Sequence, residues 1–212
     1  MKKIMLIIVV LGIIIFSKDI MPHLQGENQY LNQNFYNFLE DVGNQKDVYA
    51  AGIELNGGSS ANTCVYFVAE VLRRNDFNVP KEICNISQII PIFEENGWGK
   101  ETDYKNLMPG DICFTTDASG NKNGIPTHTY VFMKWVKEGK YDYAYICDNQ
   151  AKDYKSKIYH IRNINVVTKV NGSDKDAFAF FMTPTPTVRF QVPIDWLAIN
   201  HYCDNSHPSL KN

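Results

Sequence analysis

Metal-ligand spacing is missing from this chain. No Cys-x-x-Cys pair or nearby His pair gives zinc spacing, so neither a zinc site nor any other metal or cofactor is expected. Charge of one sign is missing too. Lys and Arg total 21 against 23 Asp and Glu, a net charge of −2. That lacks the basic bias of a nucleic-acid surface, so no nucleic-acid partner is expected. There is no internal repeat and no low-complexity tract. Cysteines are few and odd in number: Cys64, Cys84, Cys113, Cys147 and Cys203. In an exported protein an odd count leaves at least one thiol unpaired. Cys84 and Cys203 are a possible pair, whereas Cys113 and Cys147 fall at inward-looking strand positions and read as small buried hydrophobes.

What remains is a globular body. The chain has 212 residues, 44% hydrophobic and 13% aromatic, which is enough for one domain with a proper core. Its first residues differ from the rest. Met1-Lys2-Lys3 is a short basic start, Ile4 to Phe16 is apolar and rich in Ile, and Ser17-Lys18-Asp19 returns to polar residues. The run matches the hydrophobic part of a secretory signal and is short for a membrane span. Residues 1–20 therefore read as a signal peptide or an N-terminal membrane anchor, with residues 4–16 as the membrane segment. Either places the remaining chain outside the cytoplasm, secreted or held on the outer face of the cytoplasmic membrane or in the cell wall. Residues 21–33 read as a linker, 34–184 as the folded domain, and 185–212, after Pro184 and Pro186, as a C-terminal tail.

Within the domain, helices come first and strands follow. Phe35, Phe38, Leu39 and Val42 recur at helical spacing and predict a helix over 34–48. Gly57-Gly58-Ser59-Ser60 predicts a loop. Residues 61–75 predict a central helix capped by Ser60 or Asn62, with Cys64, Val68, Val71 and Leu72 along one stripe. A short helix is expected over 87–96, stopped by Gly97-Trp98-Gly99. Met108-Pro109-Gly110-Asp111 is turn chemistry leading into a strand at 112. A hairpin follows, 127–136 and 141–147, turning at Glu138-Gly139-Lys140. Two further strands are expected over 157–161 and 177–182. This segregated order argues for an α+β fold with an antiparallel sheet packed on the central helix.

Three residues in this frame carry chemistry. Cys64 stands at the start of a helix, where unpaired N–H groups and the macrodipole favour a thiolate nucleophile. His128 opens one strand of the hairpin. A turn at Gly139 sets position 128 beside about 150, which brings Asp148, Asn149 or Gln150 next to His128. Nucleophile, base and orienting group in the order Cys, His, Asp or Asn is what a cysteine hydrolase requires. Each residue alone reads more simply as structural; their conjunction points to catalysis. The oxyanion hole would use the Cys64 N–H and a second donor, with Asn62 and Asn56 as candidates. Tyr66, Trp98 and Tyr130 are groove candidates, though such spacing is more often core. His23, His160, His201 and His207 are assigned to surface or packing roles.

Asn62-Thr63-Cys64-Val65-Tyr66-Phe67-Val68, then Leu107-Met108-Pro109-Gly110-Asp111-Ile112-Cys113-Phe114, then Thr127-His128-Thr129-Tyr130-Val131-Phe132 resemble the papain-like cell-wall hydrolases, the CHAP amidases and NlpC-type peptidases. The resemblance covers about residues 45–183. An acidic or amide residue in the third position, where NlpC-type enzymes usually carry a second His, favours the CHAP-like branch. It implies a papain-like fold with the nucleophile at a helix N-terminus. It also implies Cys64 as nucleophile, His128 as base and Asp148 as orienting group, with Asn149 as the alternative. The substrate implied is an amide bond of peptidoglycan or of another cell-wall component, cleaved through a thioester. The rival expectations are a catalytically inactive surface or binding protein on the same scaffold, and a papain-fold protease or transferase acting on a protein.

Overall fold

The computed structural model describes residues 31–184. The expected signal or anchor segment, most of the linker, the tail and Cys203 lie outside the described residues. Among the described residues four α-helices precede the strands: α1 (Leu31–Glu40), α2 (Val42–Leu55), α3 (Cys64–Arg73) and α4 (Ile86–Glu95). The single helix expected over 34–48 is two. Asp41 breaks it, its backbone extended and its carboxylate accepting from Asn44 N at 2.9 Å as the cap of α2. Residues 31–33, the last of the expected linker, are helical. Among the described residues no helix is long and apolar enough to cross a membrane.

The α+β class is observed. An antiparallel sheet runs in the order β1-β8-β2-β3-β4-β5. Its strands are β1 (Trp98–Glu101), β2 (Ile112–Thr115), β3 (Thr129–Lys137), β4 (Lys140–Cys147), β5 (Tyr159–Asn163) and β8 (Phe178–Pro184). β6 (Thr168–Val170) and β7 (Ser173–Lys175) form a separate small hairpin. Gly97-Trp98-Gly99 is more than a helix stop. β1 forms there because β8 supplies a partner, Trp98 opposite Pro184 and Glu101 opposite Phe181.

α3 is the centre of the packing. Val65, Phe67, Val68, Val71 and Leu72 are buried, against sheet residues that include Ile112, Phe114, Val131, Met133 and Met182. Each such side chain withdrawn from water contributes about 1.5–3 kcal/mol. Glu70 ends up away from this stripe, paired with Arg73 and Arg74 at 2.8 and 2.9 Å. The alternate residues Cys113, Tyr130, Phe132, Ala144, Ile146 and Phe181 build a second core on the other face of the sheet. Both faces are therefore covered. Cys113 and Cys147 are buried free thiols, and Cys84 is disulfide-bonded.

The Pro-Gly-Asp turn ties α1 to the sheet. Gly110 has φ +92°, and a Cβ there would lie 1.9 Å from the Asn32 carbonyl oxygen. Only glycine fits on both counts. Beside it Asp111 is buried and accepts from Met108 N at 2.8 Å and from the Asn32 side chain, which also donates to Thr183 Oγ1 at 2.9 Å. Burial lifts the Asp111 carboxyl to about 7, against the lowering effect of these donors.

Candidate active site

Cys64 is the first residue of α3 and is half-buried. The chain enters the helix through a tight turn. Asn62 is left-handed, with φ +56°, and exposed. The N-cap is Thr63, neither Ser60 nor Asn62, and its side chain makes no cap bond. Thr63 Oγ1 is used differently. It donates to Ser60 O at 3.2 Å and accepts from Asn149 Nδ2 at 3.0 Å. Asn149 thus joins the chain after β4 to the start of α3. Asn56 donates to Ser59 O and Ala61 O at 3.0 and 2.8 Å. Its amide nitrogen shapes the loop and is spent there.

His128 sits just before β3, held by Thr115 at the end of β2. His128 N donates to Thr115 Oγ1 at 3.0 Å, and Thr115 N donates to His128 O at 3.1 Å. β3 and β4 pair with Val131 opposite Cys147 and Phe132 opposite Ile146. Continued past the ladder, this register sets 128 opposite 150, as the hairpin reading expected. Asp148, two residues from position 150, then shares a face with His128 as its diagonal neighbour.

The side chains meet accordingly. His128 Nε2 lies 2.9 Å from Asp148 Oδ2, and Cys64 is near enough to the ring to raise the His128 pKa. With Nε2 on the carboxylate, Nδ1 is the nitrogen left for the thiol. Asp148 is fully buried, and its Oδ1 accepts from Gln150 N at 2.8 Å. The three residues singled out in the sequence therefore form one contiguous chain from helix start to strand end.

The electrostatics follow from burial and pairing. Burial pulls the His128 pKa down, but hydrogen bonds to Asp148 and Cys64 and the charges of both outweigh it, raising it to about 9. Burial pushes Asp148 up, but the flanking histidine charges, the His128 hydrogen bond and the Gln150 N–H hold it at about 2. His128 as imidazolium against Asp148 as carboxylate is the favoured state. Among the described residues no group of three or more His, Cys, Asp or Glu side chains is placed to hold a metal ion.

No family model, curated protein or solved structure matches the chain.

The remaining candidates sort by burial. Tyr66, Trp98 and Tyr130 are buried core side chains. His160, expected in a surface or packing role, is packed against Tyr154. It is buried on β5, with Nε2 3.9 Å from Asp148 Oδ1. The β4–β5 register, Ile146 opposite His160, makes it a diagonal neighbour of Asp148 on the same face as His128.

Proposed function

We propose that this chain is an exported cysteine hydrolase of papain-like, CHAP-type architecture that cleaves amide bonds of peptidoglycan, as an amidase or an endopeptidase. One observation carries the reading: Cys64 at a helix start, near enough to His128 to raise its pKa, and Asp148 2.9 Å behind the imidazole. A half-exposed thiol backed by a buried charged imidazole suits nucleophilic acyl transfer. The peptidoglycan substrate rests on the motif resemblance and on the apolar segment at residues 4–16, the latter also the basis for export or anchoring.

In this mechanism the Cys64 thiolate attacks the carbonyl carbon and a C–S bond forms. The oxyanion takes up hydrogen bonds from the Cys64 N–H and a second donor at the uncapped helix start. Asn62, exposed at that turn, is the donor candidate whose amide the loop does not consume. The His128 imidazolium gives its proton to the amine as the C–N bond breaks, leaving a thioester. Neutral His128 then takes a proton from water, whose hydroxyl displaces the thiolate and releases the acid. Asp148 keeps the ring oriented and stabilises its charged form throughout.

The test is clearing of purified peptidoglycan by wild type and by Cys64→Ala, with circular dichroism to check the fold. Loss of clearing with the fold intact is expected. Equal clearing by Cys64→Ala removes Cys64 as the nucleophile. Turnover of a simple peptide with none on peptidoglycan moves the reading to a protease.

A further inference from the structure

His160 is not required by the mechanism above, yet it is placed against it. Its Nδ1 lies 3.2 Å from both Lys157 O and Ile158 O. Carbonyls only accept, so Nδ1 carries the ring hydrogen. That leaves Nε2 as the variable position. It is buried, has no hydrogen-bond partner, and faces Asp148 Oδ1 across 3.9 Å. In neutral His160 this nitrogen is a lone pair opposite a carboxylate. In protonated His160 it is a charged donor opposite the same carboxylate. The ring is fixed by Tyr154, stacked on it at 3.5 Å between centroids and 17° between planes.

We propose that His160 is a positioning residue of the site, one that shares Asp148 with His128 and whose proton at Nε2 decides how much of the Asp148 charge His128 keeps. This rests on the reading of Cys64, His128 and Asp148 as a catalytic chain. The two histidines, one just before β3 and one on β5, stand either side of Asp148 on one face, with one carboxylate oxygen toward each. A charge on one therefore acts on the other through Asp148. A cavity of about 400 Å³, lined by Tyr154, Lys155 and Lys157 among others, lies beside His160.

The groups facing His160 set the direction. Asp148, at the end of β4, favours its protonation. Arg162, two residues along β5 and buried, opposes it, and Lys155 and Lys157 stand at the cavity with Asp153. Burial is the largest effect and lowers the His160 pKa, so the ring is neutral at neutral pH. On acidification a proton enters at Nε2, the new N–H turns toward Asp148 Oδ1, and His128 loses part of its counter-charge.

The experiment is a pH titration of the histidine ring ¹⁵N shifts in the full chain, wild type against His160→Asn and His160→Gln. Asn keeps a donor toward the Lys157 and Ile158 carbonyls and removes Nε2. Gln sets a donor that does not titrate near Asp148. In wild type the His128 shifts are expected to show a second inflection at the His160 midpoint, below pH 6.5. His160→Asn removes that inflection, and His160→Gln lowers the main His128 midpoint by about one unit. A single-step His128 curve in wild type overturns the proposal without any variant. A His160→Asn curve that superimposes on wild type also overturns it. Neither result uses a substrate, so both are separate from the peptidoglycan test of Cys64.

Discussion

The Asp148→Asn substitution isolates the charge that holds the proposed base. It keeps the size of the side chain and removes the carboxylate 2.9 Å from His128 Nε2. His128 rises from 6.5 to about 9 in the folded protein. That shift corresponds to on the order of 3 kcal/mol of stability. The ring is nearly enclosed, 8% exposed, so solvent screening does not erase it. The sign is definite. A pKa raised on folding contributes fully below 6.5 and is lost as pH rises through 9. Asp148, lowered from 3.8 to about 2, contributes above 3.8 and is lost as pH falls through 2. Removing one partner of a buried pair typically costs about 3–5 kcal/mol. Urea unfolding of wild type and Asp148→Asn across a pH series should therefore show a deficit of this size near pH 6. It should narrow steadily between pH 6.5 and 9. A deficit that stays constant over that window, or widens above pH 9, refutes the charged His128–Asp148 pair.

Gly110→Ala tests the α1 anchor. Strain at φ +92° and a Cβ 1.9 Å from Asn32 O displace the donor of buried Asp111, for a loss of about 3 kcal/mol in urea unfolding; a loss under about 1 kcal/mol contradicts the contact. Asn149→Ala removes the bond to Thr63 Oγ1 at 3.0 Å. It should cost only about 1 kcal/mol in stability but reduce peptidoglycan turnover by roughly 10–100-fold, because the start of α3 loses its register against His128. Unchanged turnover would make Asn149 a surface amide.

The sequence was most legible where local chemistry and tertiary structure agree. Gly139, with φ +74°, turns the hairpin, and counting outward from it gives 128 opposite 150; the ladder closes at Lys137 opposite Lys140, and two register shifts, between Trp135 and Lys137 and between Phe132 and Lys134, bring it to that pairing. Asn171-Gly172, with φ of 49° and 85°, carries the same two-residue turn signal for β6 and β7, and its short polar flanks hid it. The break at Asp41 escaped because Phe38, Leu39 and Val42 keep helical spacing across it; the carboxylate bond to Asn44 N is visible only in the fold. His160 escaped for a different reason. Alternation along Tyr159, His160, Ile161 and Arg162 favours burying Tyr159 and Ile161, yet His160 and Arg162 are buried and Ile161 is exposed. A half-buried sheet obeys the alternation rule, whereas this sheet carries a core on each face, and β5 turns its polar side inward.

That inversion bears on why the polar cluster exists. Asp148, His128, His160 and Arg162 are all buried, and taking such groups out of water is expensive. Their pairing repays this only in part, and apolar side chains of similar volume commonly give equal or greater stability at such positions. Some of the capacity also goes unused, with His160 Nε2 and two Arg162 nitrogens unpartnered. Stability is thus a poor account of the cluster. Cys64 is the exception to the burial: its partners are dry while it stays half-exposed. A water-excluded charge pair strengthens the electrostatic effect on the group it faces, and a half-exposed thiol is where a substrate can meet that effect. The cost of burying four polar side chains is intelligible if they act on Cys64.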